Sequence, residues 1–131
     1  MTEAQLQNLV ADYLRVALPD GSIFHHSPNE GKSHVAHRVK LRKAGMCTGW
    51  PDLEIFCPGK PPVFIELKVG KNTITAAQNK TLQALSTAGC VTAVCRSLDD
   101  VRQVLGTVVQ MKDHSQTDSF LFQARRNIYG A

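Results

Sequence analysis

Gly49-Trp50-Pro51-Asp52-Leu53-Glu54-Ile55-Phe56, the turn formers Cys57-Pro58-Gly59-Lys60-Pro61-Pro62, and then Val63-Phe64-Ile65-Glu66-Leu67-Lys68-Val69 make up the stretch that decides the fold. Polar and apolar residues alternate from Asp52 to Phe56, and Val63 to Val69 is apolar except at Glu66 and Lys68. This spacing predicts two strands joined by a short turn. A strand so rich in apolar residues is buried on both faces, where an unpaired Glu or Lys is expensive. Alternate residues of a strand point to the same side about 6.6 Å apart, so Glu66 and Lys68 lie side by side and Leu67 faces the core.

If the two strands pair, Asp52 converges on Glu66. Two carboxylates supply the hard oxygen ligands that Mg²⁺ prefers while leaving positions for water and phosphate. Such an ion activates water and offsets charge on a phosphate, and Lys68 beside it acts as a point charge on the developing anion. The competing reading is structural: Glu66 and Lys68 form an ordinary strand ion pair, and Asp52 caps the turn after Pro51.

Outward from these strands the chain reads as alternating helices and strands. Thr2 and Gln5 form a capping-box pattern, and Leu6, Val10, Tyr13, Leu14 and Ala17 recur at helical spacing until Pro19-Asp20-Gly21. Glu3 projects from near that apolar stripe; it is either a first-turn acid favoured by the helix dipole or an acid aimed at a site. Ser22 to His26 is a short extended stretch, and Ser27-Pro28-Asn29-Glu30-Gly31-Lys32 is a loop. A second helix is expected from about His34 to Ala44, with Val35, Val39 and Ala36 on one side and Gly45 as its stop. Ala77, Leu82, Leu85 and Ala88 mark a helix from Thr75 to Ala88, Val91 to Cys95 is a strand, and Ser97 with Asp100 opens a last helix carrying Val101, Val104 and Leu105. The order predicts an α/β fold with helices packed on a central sheet.

A chain of 131 residues, 43% hydrophobic, makes one domain. We place it at residues 1–112, with 113–131 as a tail that is an added strand, a helix or an interface arm. The formal net charge of +4 leans toward polyanionic partners, and it is concentrated: Lys32, Arg38, Lys40, Arg42 and Lys43 have no acid among them. Alone, that run fits a solvated helix face equally well. Cys47, Cys57, Cys90 and Cys95 lack C-x-x-C or zinc-ribbon spacing and read as reduced thiols of a cytosolic protein. No window reaches the roughly 18 apolar residues of a membrane span, so a soluble protein is expected. His25, His26, His34 and His37 have no accompanying carboxylates that define a zinc site.

Gly49 to Asp52, Glu66-Leu67-Lys68 and Gln78 together resemble the PD-(D/E)xK nuclease superfamily and specifically its VRR-NUC family. The resemblance extends to an acid in the first helix (Glu3) and a P-N-x-G loop (Pro28 to Gly31), and spans residues 3 to 105. It implies a restriction-endonuclease-like PD-(D/E)xK core, a central mixed β-sheet flanked by helices. It implies an active endodeoxyribonuclease with Asp52 and Glu66 as ligands of Mg²⁺ or Mn²⁺, and no organic small-molecule cofactor. The backbone carbonyl of Leu67 completes the coordination, Glu3 contributes through water, and Gln78 reaches the site from the positive end of its helix. Asn29, Lys32, Arg38, Lys40, Arg42, Lys43 and Lys71 become candidates for gripping the DNA backbone.

A chain this short has few means of reading sequence, so the expected substrate is branched DNA. Stand-alone relatives of this size are similar to Holliday junction resolvases that act as homodimers, and two symmetric cuts require two sites related by a two-fold axis. An intracellular protein of a bacterial or phage-infected cell is implied. The alternatives are a nuclease acting on flaps or single-stranded ends or nicking a duplex, and, from another class, a DNA-binding module that kept the fold without catalysis.

Overall fold

A computed structural model describes residues 1–28 and 34–112 of the chain. Asn29, Glu30, Gly31 and Lys32 of the expected loop, and the tail from 113 to 131, lie outside the described residues. The elements run α1 (Glu3–Ala17), β1 (Ile23–His26), α2 (Val35–Lys43), β2 (Leu53–Phe56), β3 (Val63–Leu67), α3 (Ala76–Thr87), β4 (Val91–Cys95) and α4 (Leu98–Gly106). The sheet order is β1-β2-β3-β4. The first three strands are antiparallel and β3 pairs parallel with β4, so the sheet is mixed as expected. A parallel neighbour requires a crossover, and α3 is that crossover.

The period of two along β3 sorts its side chains between two environments. Val63, Ile65 and Leu67 join Leu53 and Ile55 in the main core, beneath α1 and α4. Helix α1 contributes Leu6, Leu9, Val10, Tyr13, Leu14 and Ala17, and α4 contributes Leu98, Val101 and Leu105. Phe64, Glu66 and Lys68 are also buried but stand outside that cluster. Phe64 packs T-shaped against Trp50 and Phe56. One strand therefore carries a dry hydrophobic face and, two residues apart on the other, the polar pair.

Helix ends follow their sequence signals. Thr2 and Gln5 form a reciprocal capping box at α1, and Ser97 accepts from the Asp100 amide at α4. The last described segment is tied back to the first helix by Lys112, whose amide donates to the Ala17 carbonyl at 2.9 Å.

Helix α2 corrects the expectation that it packs on the sheet. None of its residues is buried, and Val35 and Val39 are 60% and 39% exposed. Two valines set among cationic and imidazole side chains make too narrow an apolar stripe to hold a nine-residue helix on the core. Among the described residues, no helix is long and apolar enough to cross a membrane.

Candidate active site

Asp52 stands at the entrance to β2, held by its own backbone: its carbonyl accepts the Ser27 amide at 2.9 Å and lies 2.9 Å from His26 Nδ1. Its side chain reaches across the antiparallel ladder, where Oδ2 accepts the Leu67 amide at 2.8 Å. That bond pins the carboxylate to the backbone between Glu66 and Lys68. Convergence thus follows from strand pairing plus one side-chain hydrogen bond.

Glu66 is 3% exposed. Its Oε1 accepts from Gln78 Nε2 at 3.0 Å, and Lys68 Nζ stands 4.0 Å away, at the outer limit of an ion pair. Among the described residues no group donates a hydrogen bond to its Oε2. Burial, the charge of Asp52 beside it and a hydrogen bond with that carboxyl push the Glu66 carboxyl up to about 8. Lys68 opposes the shift and Glu3 adds to it. An ordinary strand ion pair would satisfy both carboxylate oxygens at close range; this one leaves Oε2 without a donor and a carboxyl pushed toward protonation.

Gln78 is oriented by a capping box. Its Oε1 accepts the Thr75 amide at 2.9 Å while its own amide donates to Thr75 Oγ1 at 3.1 Å. With the side-chain oxygen used by the helix end, the NH₂ group is directed at Glu66. The Thr48 carbonyl accepts from Thr81 Oγ1 at 3.0 Å, so the loop before Asp52 is docked on α3.

Gly49 makes that docking possible. Its φ is +77°, and a Cβ placed there would lie 2.6 Å from the Ala77 carbonyl carbon and 2.7 Å from the Gln78 nitrogen. Gly49→Ala is therefore expected to push the first turn of α3 away and move Gln78 off Glu66. Steady-state cleavage assays should show kcat falling by about 10-fold or more, the scale of loss that small displacements near chemistry produce. A thermal melt should drop with it, because a left-handed position and a backbone clash add.

Glu3, Asp52, Glu66, Lys68 and Gln78 all line one cavity of about 470 Å³. The structure thus brings together five of the residues singled out from sequence. Leu67 meets them through its amide, with its side chain in the core. Lys40, Arg42 and Lys43 are exposed on α2, Arg38 is half-buried there, and Lys71 is exposed in the turn after β3. At helical spacing Arg38 and Arg42 fall on one side of α2, and Lys40 and Lys43 on nearly the opposite one, so no single flat basic face results. Asn29 and Lys32 lie outside the described residues.

Among the described residues no three His, Cys, Asp or Glu side chains form a ready-made metal centre. The donors nevertheless fit a hard divalent ion held by two carboxylates, with water and substrate as further ligands: the Glu66 carboxyl lies beside that of Asp52, and no group among the described residues donates to its Oε2. Sequence reasoning missed Trp50, Met46 and Cys47, which line the same cavity. Only Trp50 carried a signal, an aromatic residue two positions before a candidate catalytic acid.

A mixed sheet flanked by helices, presenting Asp, Glu and Lys at adjoining strand ends, defines a nuclease-type α/β fold. The family model of the VRR-NUC domain matches residues 2–99, and the chain belongs to that family. A solved structure described as a VRR_NUC domain protein is similar, with a TM-score of 0.66 and 25% identity over 82% of this chain and 87% of that one. No curated protein gives a match. Membership implies nuclease activity with DNA as substrate.

Proposed function

We propose that the chain is a metal-dependent, structure-selective DNA endonuclease that hydrolyses phosphodiester bonds at four-way junctions as a homodimer, with residues 1–112 as the nuclease domain. The observation that carries the reading is the buried Glu66 carboxyl beside that of Asp52: no group among the described residues donates to its Oε2, and Lys68 stands 4.0 Å from its Oε1. Folding has left this acid short of positive charge, which is what a divalent ion supplies.

Asp52 and Glu66 would hold Mg²⁺ or Mn²⁺, with the Leu67 carbonyl completing the set and Glu3 contributing through water. Bound there, the ion supplies Lewis-acid stabilisation of phosphate charge and lowers the pKa of water. Gln78 holds Glu66 in one orientation, so the ligand pair is preorganised rather than assembled on binding. Lys68, buried and shielded from solvent, presents its ammonium to the phosphate oxygens that gain charge as water attacks phosphorus and the leaving oxygen departs. Lys71 and the cations of α2, Arg38, Lys40, Arg42 and Lys43, offset the charge of flanking phosphates, with Asn29 and Lys32 as further candidates.

The test compares a labelled four-way junction, a flap and a linear duplex, each with Mg²⁺, with Mn²⁺ and with chelator. Paired symmetric cuts in the junction, only with metal, are expected. Equal rates on the three substrates would remove the junction preference and leave a general nuclease; cleavage of none would remove the nuclease reading. Light scattering of the active protein should report a dimer, and a strict monomer at working concentration would remove the resolvase version.

A further inference from the structure

The cavity holding the acids has a second lining that phosphate chemistry does not use: Pro28, Met46, Cys47 and the indole of Trp50. Trp50 is 37% exposed, yet it is not loose. Its indole N–H donates to Glu54, which also accepts from Ser27 Oγ at 3.3 Å, and its ring meets Phe64 T-shaped at 5.6 Å between centroids and 85° between planes. A hydrogen bond for the polar atom and an aromatic contact fix the ring while leaving surface free at the cavity. An exposed aromatic held this way loses little freedom on binding a flat partner.

Position and volume narrow the partner. Trp50 is two residues from Asp52, and Met46 and Cys47 follow α2, so along the chain the apolar lining falls between the exposed cations of α2 and the acid, and all three line the cavity that Asp52 lines. A phosphate group alone leaves most of about 470 Å³ empty, and it gains nothing from an indole and a thioether. A nucleobase offers the π-face that such side chains take, whatever its sequence.

We propose that Trp50 is a stacking platform for an unpaired nucleobase adjoining the phosphate that is cut. Bases inside a duplex are stacked and closed to it, so the platform selects DNA with an unpaired nucleotide at the site, as at a gap, a flap or a junction whose central pair has opened. The location of the cut rests on the nuclease reading above; the stacking does not.

Trp50 is the one tryptophan of the chain, so intrinsic tryptophan fluorescence reports this position alone. The full chain is titrated in chelator, where metal-dependent cleavage is off, with a single-stranded oligonucleotide, the same backbone made abasic, and a paired duplex. Quenching by the base-bearing strand only is expected; equal quenching by the abasic strand, or none by either, overturns the proposal. Measured by the anisotropy of a labelled strand, Trp50→Leu, which puts an apolar side chain there without a π-face, should weaken binding of the base-bearing strand by roughly 10-fold or more, while Trp50→Phe stays within about 3-fold. Equal losses in Leu and Phe variants would overturn the proposal too. Base-dependent quenching without cleavage of any DNA would sink the nuclease reading and keep the platform; cleavage without such quenching would do the reverse.

Discussion

Asp52→Asn is expected to lower the rate of cleavage by about 1000-fold or more with no comparable loss of stability. Asparagine keeps a side-chain oxygen at the place where Asp52 Oδ2 accepts the Leu67 amide at 2.8 Å, so the strand junction stays closed. What disappears is one of two negative charges in the proposed ion site, and with it the binding and alignment of the ion. Asp52→Ala would confuse the outcome, because it strands the Leu67 amide and costs about 1–3 kcal/mol on that account alone. Lys68→Met is the companion: it retains a buried chain of similar length and removes only the ammonium, for an expected loss of about 100- to 1000-fold. DNA binding without metal should change little in the Asn variant, since the carboxylate at this position serves the ion and not the DNA backbone. Variants that melt like the wild type and cut within about 3-fold of it would place the chemistry elsewhere.

The part of this site that sequence disclosed is the part governed by local periodicity. The alternation Phe64, Glu66, Lys68 against Val63, Ile65, Leu67 needs only the pleat of a strand, and it separates the polar pair from the core without any tertiary contact. The capping box at Thr2 is likewise legible within four residues. Convergence of Asp52 on Glu66 depended on strand pairing, which the short turn made the simplest arrangement.

The remainder depended on contacts between distant segments. Nothing local says that Gly49 must be bare because the α3 backbone passes 2.6 Å from where its Cβ would stand. Nothing local says that the Gln78 amide is turned toward Glu66 by the same hydrogen bonds that cap its helix. The second helix shows the opposite failure: Val35 and Val39 have core-like spacing, yet the charges around them outweigh two valines and the helix is left on the surface. Amphipathic spacing signals burial only when the stripe is broad enough to outweigh the polar groups beside it.

Glu66→Gln should make the metal-free protein more stable and the enzyme nearly inactive. The wild-type carboxyl is pushed up to about 8 by burial and by Asp52, from an ordinary value near 4.5. Between those two pH values the folded protein keeps a proton that the unfolded chain releases, so raising the pH favours unfolding. The slope contributed by this one group approaches about 1.4 kcal/mol per pH unit and vanishes above the upper value. Glutamine is neutral throughout, can accept from Gln78 Nε2 as Oε1 does now, and offers an N–H to the Asp52 carboxylate in place of a competing charge. In chelator at pH 8 its melting temperature should therefore exceed that of the wild type by several degrees, with the gap closing toward pH 5. Addition of Mn²⁺ should raise the wild-type melt, since an ion that binds only the folded form stabilises it, and should raise the variant's much less. Cleavage should fall by about 100-fold or more. A variant that melts below the wild type in chelator at pH 8 would mean that Glu66 supports the fold; one that melts above it and cannot cut would mean that the fold tolerates this acid for its chemistry.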